Sequence, residues 1–220
     1  RGLVLSSSNF GVRGDRPSDP ELLDWLAHEA VRVGWSQKKL HRLIVTSATW
    51  RQSAVATDEA QAADPDNALH SRFPIRRLDA EQIRDSLLAV SGTLDRAMGG
   101  TLLMVGNGEY VTNDQSADQG RYGAPRRTIY LPVVRNALFD LWTTFDFNDA
   151  SVHTEMRVET TVPAQTLFAM NSPLFHDAAA VLAQKWTADV RPAGAPRVRR
   201  AYRVLFGRSP TAAEIEGAMV

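Results

Sequence analysis

The chain has 220 residues, 44% of them hydrophobic, with 25 basic and 25 acidic side chains and no cysteine. This length suffices for one sizeable core, and the balanced charge argues against a broad nucleic-acid or anionic-membrane footprint. The lack of cysteine excludes disulfides, thiolate metal sites, a cysteine nucleophile and a C-x-x-C-H haem attachment within these residues. No run of 18 apolar residues occurs, so the sequence predicts no membrane span.

The first third of the chain predicts a helical hairpin. Ser18-Asp19-Pro20-Glu21 has the form of a capping box with proline in the first turn. Apolar residues then recur every three or four positions as far as Val33, and Gly34 is a natural stop. Ser36 can cap a second helix that runs to about Ser47, which completes an αα-hairpin with a short connection.

Two polar stretches predict exposed loops, at residues 54–70 and 106–125. The first is rich in Ala, Asp, Gln and Asn and contains the turn sequence Asp64-Pro65-Asp66-Asn67. Between the two loops, Asp79 and Gln82 form a capping box for another helix, which Ser91-Gly92 can end.

The region near 101–134 predicts a small β-hairpin or short sheet. Thr101–Val105 can form a strand that turns at Asn107-Gly108 and pairs back. Residues 128–134 are the best strand candidate in the chain, and Pro132 would confine that strand to an edge.

The remainder of the chain predicts helices again. Pro163 and Pro173 suit the first turns of two of them, and Thr211 opens a last capping box with Glu214. The five tryptophans mostly fall on predicted apolar faces, so we expect them to pack in the core. The expected fold is therefore mainly α: one helical domain over residues 1–220, which we interpret as a fragment of a longer protein.

Known catalytic and metal-binding motifs do not occur. There is no H-E-x-x-H, no G-x-S-x-G and no phosphate-binding loop, and no two histidines lie four residues apart on one predicted helix. We therefore predict no metal and no cofactor in this segment. His41 is the most interesting histidine, although a hydrogen-bonded core histidine explains it better than a catalytic base. Carboxylate pairs such as Asp79 with Glu81 and Asp146 with Asp149 have simpler interpretations as caps and turns.

Arginine is the strongest polar signal, and several arginines lie near carboxylates. The candidate ligand or ion-pair cluster is Arg77, Asp79, Arg84, Asp85, Arg126, Arg127 and Arg157. One hypothesis is an internal network, since the guanidinium fork suits carboxylates and the two charge totals are equal. The other is that some arginines hold an anionic ligand, such as a sulfated or uronic polysaccharide. We favour the internal network.

Motifs spread over essentially the whole chain carry a family resemblance. They include Asn9-Phe10-Gly11, Gly34-Trp35-Ser36, Arg76-Arg77-Leu78-Asp79-Ala80-Glu81, Thr160-Thr161-Val162-Pro163-Ala164-Gln165 and Asn171-Ser172-Pro173. In this order they resemble the C-terminal domain of multi-domain, planctomycete-type cytochrome c proteins, a domain of unknown function.

The resemblance implies a cellular location and a domain context, but it does not imply a catalysed reaction. Members of that family are exported, periplasmic or cell-surface proteins in which any haem belongs to upstream modules, and a link to polysaccharide breakdown has been suspected. The family has no agreed catalytic residues to carry over. We therefore expect a non-catalytic interaction or scaffold module that docks upstream domains, or a polysaccharide, through its arginine-rich face, with no nucleic-acid partner.

The alternative is a hydrolase or lyase acting on an anionic glycan, with Asp79, Asp85 or His41 beside an arginine clamp. Such an enzyme needs a concave pocket in which an unpaired carboxylate or histidine lies beside arginine. The scaffold hypothesis instead predicts that these arginines are paired internally.

Overall fold

A computed structural model describes residues 2–6, 8–9, 11–100, 102–103, 120–135, 137–154, 156–189 and 193–219. About 51% of the described residues are helical, which confirms the mainly α class. In the described ranges the β-structure is limited to one isolated bridge between Asp95 and Arg126. The residues fall into two compact units, an N-terminal unit Arg1–Arg77 and a C-terminal unit Leu78–Val220. A single folding domain over 1–220 stays a prediction.

The N-terminal unit is built on the predicted helical hairpin. Helix α1 spans Pro20–Arg32 and helix α2 spans Gln37–Thr46, and the two helices contact each other. Asp19, and not Ser18, is the N-cap of α1: its carboxylate accepts a hydrogen bond from the Leu22 amide at 3.0 Å. A proline inside the first turn leaves that cap undisturbed.

The segment predicted as an exposed loop at 54–70 is more ordered than its composition suggests. It contains helix α3, Asp58–Ala63. Asp64 and Asn67 are buried, and the Asp64 carboxylate accepts hydrogen bonds from the Ala68 and Leu69 amides at 2.7 and 2.9 Å. The short polar side chains that favour turns here also satisfy the backbone, so the turn can bury them.

The C-terminal unit holds the remaining helices. They are α4 (Ala80–Ser91), α5 (Asp140–Thr144), α6 (Pro163–Asn171), α7 (Pro173–Asp189), α8 (Ala195–Phe206) and α9 (Ala212–Gly217), with 3-10 turns at Gly120–Gly123 and Thr128–Tyr130. Helix α4 packs against α5 and α7, α6 packs against α5 and α7, and α8 packs against α9. The core between them consists of Ala80, Tyr122, Leu131, Leu141, Trp142 and Phe145.

The predicted strand at 128–134 is wrong. Residues Thr128–Tyr130 form a 3-10 turn, because the amide and hydroxyl of Thr128 both donate to Asp85 on α4 and are not available to a neighbouring strand. The hairpin around Asn107-Gly108 lies outside the described residues, as does most of the predicted loop 106–125. Its last part, however, contains Tyr122, which is buried in the core and not exposed.

The two units differ in where their apolar side chains lie. All the buried apolar residues that the structure describes belong to the C-terminal unit. In the N-terminal unit, Trp25, Trp35 and Trp50 are 52%, 76% and 48% exposed, so the expectation that they pack in the core is wrong for these three. Trp142 is 1% exposed and packs in the core as expected.

Gly92 provides a test of how α4 ends. Its φ of +79° lies in the left-handed region, and a Cβ there would come within 3.1 Å of the Lys185 ammonium on α7. We predict that Gly92→Ala lowers the free energy of unfolding by about 1 kcal/mol, measured by urea denaturation. Gly217→Ala is the control, since Gly217 ends a helix without a positive φ and with open space around it. A loss of equal size in both variants would contradict the prediction.

Candidate functional site

Arg84 is the best-buried charged residue of the predicted cluster. It lies on the inner face of α4, four residues from both Ala80 and Leu88, and its side chain is 2% exposed. The guanidinium Nη1 donates to the Arg126 carbonyl at 2.7 Å and to the Thr128 hydroxyl at 3.3 Å. Its Nη2 donates to two further carbonyls, those of Tyr122 and Ala124. Arg84 therefore holds the irregular segment 122–128 against α4.

Asp85 completes this attachment from the next position on α4. Its carboxylate accepts from the Thr128 amide at 2.8 Å and from the Thr128 hydroxyl at 2.6 Å, and it lies 3.9 Å from Arg84 Nη1. Burial lowers the pKa of Arg84 below its usual value, and the charge of Asp85 acts in the opposite direction. Asp85 is thus a structural partner of Arg84 and Thr128.

Arg126 contacts the stretch of chain that follows α4. Its Nη2 donates to the carbonyls of Ala97 and Gly99 at 2.6 and 2.7 Å. Its guanidinium lies 4.7 Å from the centre of the Tyr130 ring, and its Nε is 4.0 Å from Asp95. These contacts leave Arg126 internal to the C-terminal unit.

Arg157 forms the clearest ion pair of the cluster. Its two terminal nitrogens donate to the two Glu81 oxygens at 2.7 and 2.9 Å, Asp79 lies 3.7 Å away, and the Phe147 ring is 5.3 Å below. Partial burial raises the pKa of Glu81, but the hydrogen bonds and charge of Arg157 outweigh it, so the pKa falls below 4.5. The pair ties the first turn of α4 to the segment before α6.

The predicted cluster therefore divides into separate internal contacts. Arg84 pairs with Asp85, Arg157 pairs with Asp79 and Glu81, and Arg126 bonds to carbonyls. Arg77 is half-buried and has contacts of its own, and Arg127 is exposed. Sequence reasoning did not place Glu81 in the cluster, although its position in the first turn of α4 beside Asp79 is visible. The backbone carbonyls around Arg84 could not be identified from the sequence, because every residue has a backbone carbonyl.

A cleft opens beside Arg84 within the C-terminal unit. It has a volume of about 520 Å³, with Arg84, Tyr122 and Ser172 among its buried residues and Asp140 and Asp177 on its exposed rim. Of the predicted arginines, Arg84 is the one that the structure places on its described lining.

The residues proposed for catalysis lie elsewhere. Asp79, Asp85 and His41 are not among the described residues that border the cleft, and His41 is exposed on α2 in the N-terminal unit. In the part of the chain that the structure describes, no three His, Asp or Glu side chains are grouped to hold a metal ion. None of the helices in that part combines the length and the apolar character that a membrane span requires.

Comparison with known proteins places the chain in a family without assigning it an activity. The family model described as "PSD1: Protein of unknown function (DUF1553)" matches residues 1–219, so the chain belongs to that family. No curated protein and no solved structure matches the chain. The resemblance to a domain of unknown function is therefore confirmed at the level of the family.

Replacing Arg84 tests whether it is the central attachment of segment 122–128. Arg84→Met keeps much of the side-chain volume but leaves several buried acceptors without a donor, so we expect a loss of about 3 kcal/mol or more in the free energy of unfolding. Arg127→Met is the matched control on an exposed arginine and should change stability by less than about 0.5 kcal/mol. Equal losses in urea denaturation would contradict this assignment.

The Arg157–Glu81 pair predicts a specific pH dependence. Because the folded-state pKa of Glu81 is lowered, the pair stabilises the fold above the ordinary value of 4.5, and this contribution is lost as the pH falls through the lowered value. Wild type should exceed Glu81→Gln by about 1 kcal/mol near neutral pH, and the difference should shrink below pH 4.5. In the Arg157→Met background, the stability difference caused by Glu81→Gln should change little with pH, because Glu81 has lost its partner. If Glu81→Gln showed the full pH-dependent effect in that background, the pairing would be contradicted.

Proposed function

We propose that this DUF1553 protein is a non-catalytic interaction module that docks other domains of a longer protein. The observation that carries the proposal is the internal pairing of the arginines at Arg84, Arg126 and Arg157. The hydrogen bonds of their terminal nitrogens go mainly to carbonyls and carboxylates of the same unit, so these nitrogens serve the fold and do not form a clamp for a polyanionic ligand. This is the pattern that the scaffold hypothesis requires.

The docking surface that we propose is apolar, in place of the arginine-rich face expected from the sequence. In the N-terminal unit, Trp25, Val31 and Trp35 expose 52%, 57% and 76% of their surfaces. Exposed tryptophans are frequent anchors of protein interfaces, because they bury a large area with few rotatable bonds. We define Trp25, Val31 and Trp35 as the hairpin surface.

Trp35 adds a conformational argument for this surface. It follows Gly34 at the end of α1, and both residues have positive φ, +70° for Gly34 and +59° for Trp35. A bulky residue at positive φ is uncommon and is destabilised locally. A tryptophan held in this conformation while largely exposed gains little from its own unit, which supports a role in contact with a partner.

The partners and the location follow from the resemblance to planctomycete-type cytochrome c proteins. On this proposal the partners are upstream domains of the same protein, including a haem-bearing module, and the protein is exported to the periplasm or cell surface. A contribution to polysaccharide handling would come from the assembled protein. The haem belongs to those upstream modules.

A hydrolase or lyase is the second candidate, and the cleft with Asp140 and Asp177 on its rim is the observation that favours it. Two carboxylates beside a cleft can act as general acid and base. However, two acidic groups at the mouth repel an anionic glycan, and one arginine on the described lining does not make a clamp. We therefore place this candidate second.

The docking proposal is tested by mixing the chain with the separately produced region that precedes it in its parent protein. We predict association by isothermal titration calorimetry, weakened about tenfold or more by Trp35→Ser or Val31→Ser. Val152→Ser is the matched control, since Val152 is 61% exposed in the C-terminal unit and lies outside the hairpin surface. Circular dichroism checks that each variant is folded.

Two outcomes would overturn the proposal. One is the absence of binding between the wild-type chain and the preceding region at micromolar concentrations. The other is an equal loss of affinity in Val31→Ser and Val152→Ser, which would show that the hairpin surface has no special role.

A further inference from the structure

The geometry points to a small-molecule site in the cleft beside Arg84, suited to an amphipathic zwitterion. Such a ligand carries a carboxylate, an apolar body and an amino group. The carboxylate would enter toward Arg84 and Ser172, the apolar body would lie between aromatic side chains, and the amino group would remain at the acidic rim. This site is separate from the hairpin surface and does not depend on the proposed docking function.

The inner end of the cleft offers hydrogen-bond donors in a buried setting. Arg84 is 2% exposed, and its Nε, unlike its Nη atoms, has no hydrogen-bond partner among the described residues. A buried donor left without an acceptor is costly, so a ligand acceptor that reaches it is favoured.

The same end of the cleft also borders the start of a long helix. Ser172 is buried, Pro173 is the first residue of the 17-residue helix α7, and both line the cleft. The positive end of a helix dipole favours a negatively charged group. A buried arginine and a helix N-terminus that border one cavity together favour a carboxylate or a similar acceptor.

The sides of the cleft are apolar, and its size is sufficient for a small molecule. Leu88, Phe139, Phe168 and Leu174 line it, and all four are at least partly buried. A volume of about 520 Å³ lies within the range typical of small-molecule sites. An aromatic or alicyclic body therefore fits these walls better than a fully polar one.

The rim selects for positive charge. Asp177 is exposed and carries a negative charge, Asp140 on the same rim has contacts of its own, and the positive charge of Arg84 is partly offset by Asp85 at 3.9 Å. A purely anionic ligand would be repelled at the entrance, whereas an ammonium group would be attracted. The combination of a donor-lined inner end and an acidic rim distinguishes a zwitterion from a simple acid or a simple amine.

Three related probes test this assignment on the whole 220-residue chain. The first, 4-(aminomethyl)benzoate, carries both charged groups, 4-methylbenzoate lacks the amine, and benzylamine lacks the carboxylate. By ligand-observed NMR and calorimetry we expect the first probe to bind, benzylamine to bind about tenfold more weakly, and 4-methylbenzoate about threefold more weakly. Failure of the first probe to bind, or equal affinity for all three, would overturn the proposal.

Substitutions in the cleft and outside it test whether the probes bind there. Asp177→Asn should weaken 4-(aminomethyl)benzoate and benzylamine about threefold, and it should not weaken 4-methylbenzoate, because it removes a negative charge that repels this anion. Glu216→Gln, an exposed carboxylate on α9 outside the cleft, should change none of the three. Leu174→Trp should fill the cleft and abolish binding, with urea denaturation confirming that the variant folds. Unchanged binding of the first probe in both Asp177→Asn and Leu174→Trp would place the ligand elsewhere and refute the site.

Discussion

The hydrogen bonds of Arg84 are the interaction on which the C-terminal unit depends. The segment from Tyr122 to Thr128 contains little regular structure, so its carbonyls have few backbone donors to meet. The Arg84 guanidinium supplies donors to three carbonyls and one hydroxyl of this segment. An arginine can do this because its several N–H groups diverge in a fixed plane, whereas an apolar residue on α4 would leave the carbonyls unsatisfied. Burial of this charge is costly, and satisfaction of the surrounding acceptors offsets the cost.

This arrangement also constrains what the site can do. A guanidinium whose Nη atoms are committed to the backbone cannot swing toward a substrate without releasing segment 122–128. The nitrogen left for another acceptor is Nε, which has no hydrogen-bond partner among the described residues. A single directional donor beside an apolar cavity suits the orientation of a small ligand more than the neutralisation of a polyanion. The structural and the binding roles of Arg84 thus come from different atoms of one side chain.

The local part of this fold could be predicted from the sequence, because helix starts depend on residues close in the chain. The box of Thr211 with Glu214 is present with both of its hydrogen bonds, and Gly92 ends α4 in the left-handed conformation. The predicted strand at 128–134 failed for a non-local reason. Thr128 is β-branched and favours strands, but Asp85, 43 residues earlier, captures both of its donors.

In the candidate site, too, contacts that depend on residue type could be predicted from the sequence, whereas contacts that depend on tertiary packing could not. The sequence indicated that arginines and carboxylates would pair, and Arg157 does pair with the first turn of α4. It could not indicate that Arg84 bonds mainly to carbonyls, since backbone groups are common to all residues. Asp140 and Asp177 were not singled out either, because they lie on different helices, α5 and α7, and the packing of those helices around α6 brings them to one rim.

The distribution of apolar burial explains why docking suits the N-terminal unit. Hydrophobic free energy scales with the apolar area removed from water, at about 25 cal/mol per Å². Within the described part of this unit no apolar side chain is buried, and its best-buried groups are the polar residues Glu29, Asp64 and Asn67. Hydrogen bonds such as those of Asp64 fix local turns but contribute little net stability each. A partner that covers Trp25 and Trp35 would add the apolar burial that the unit lacks, so binding would stabilise the helical hairpin at the same time as it joins the domains.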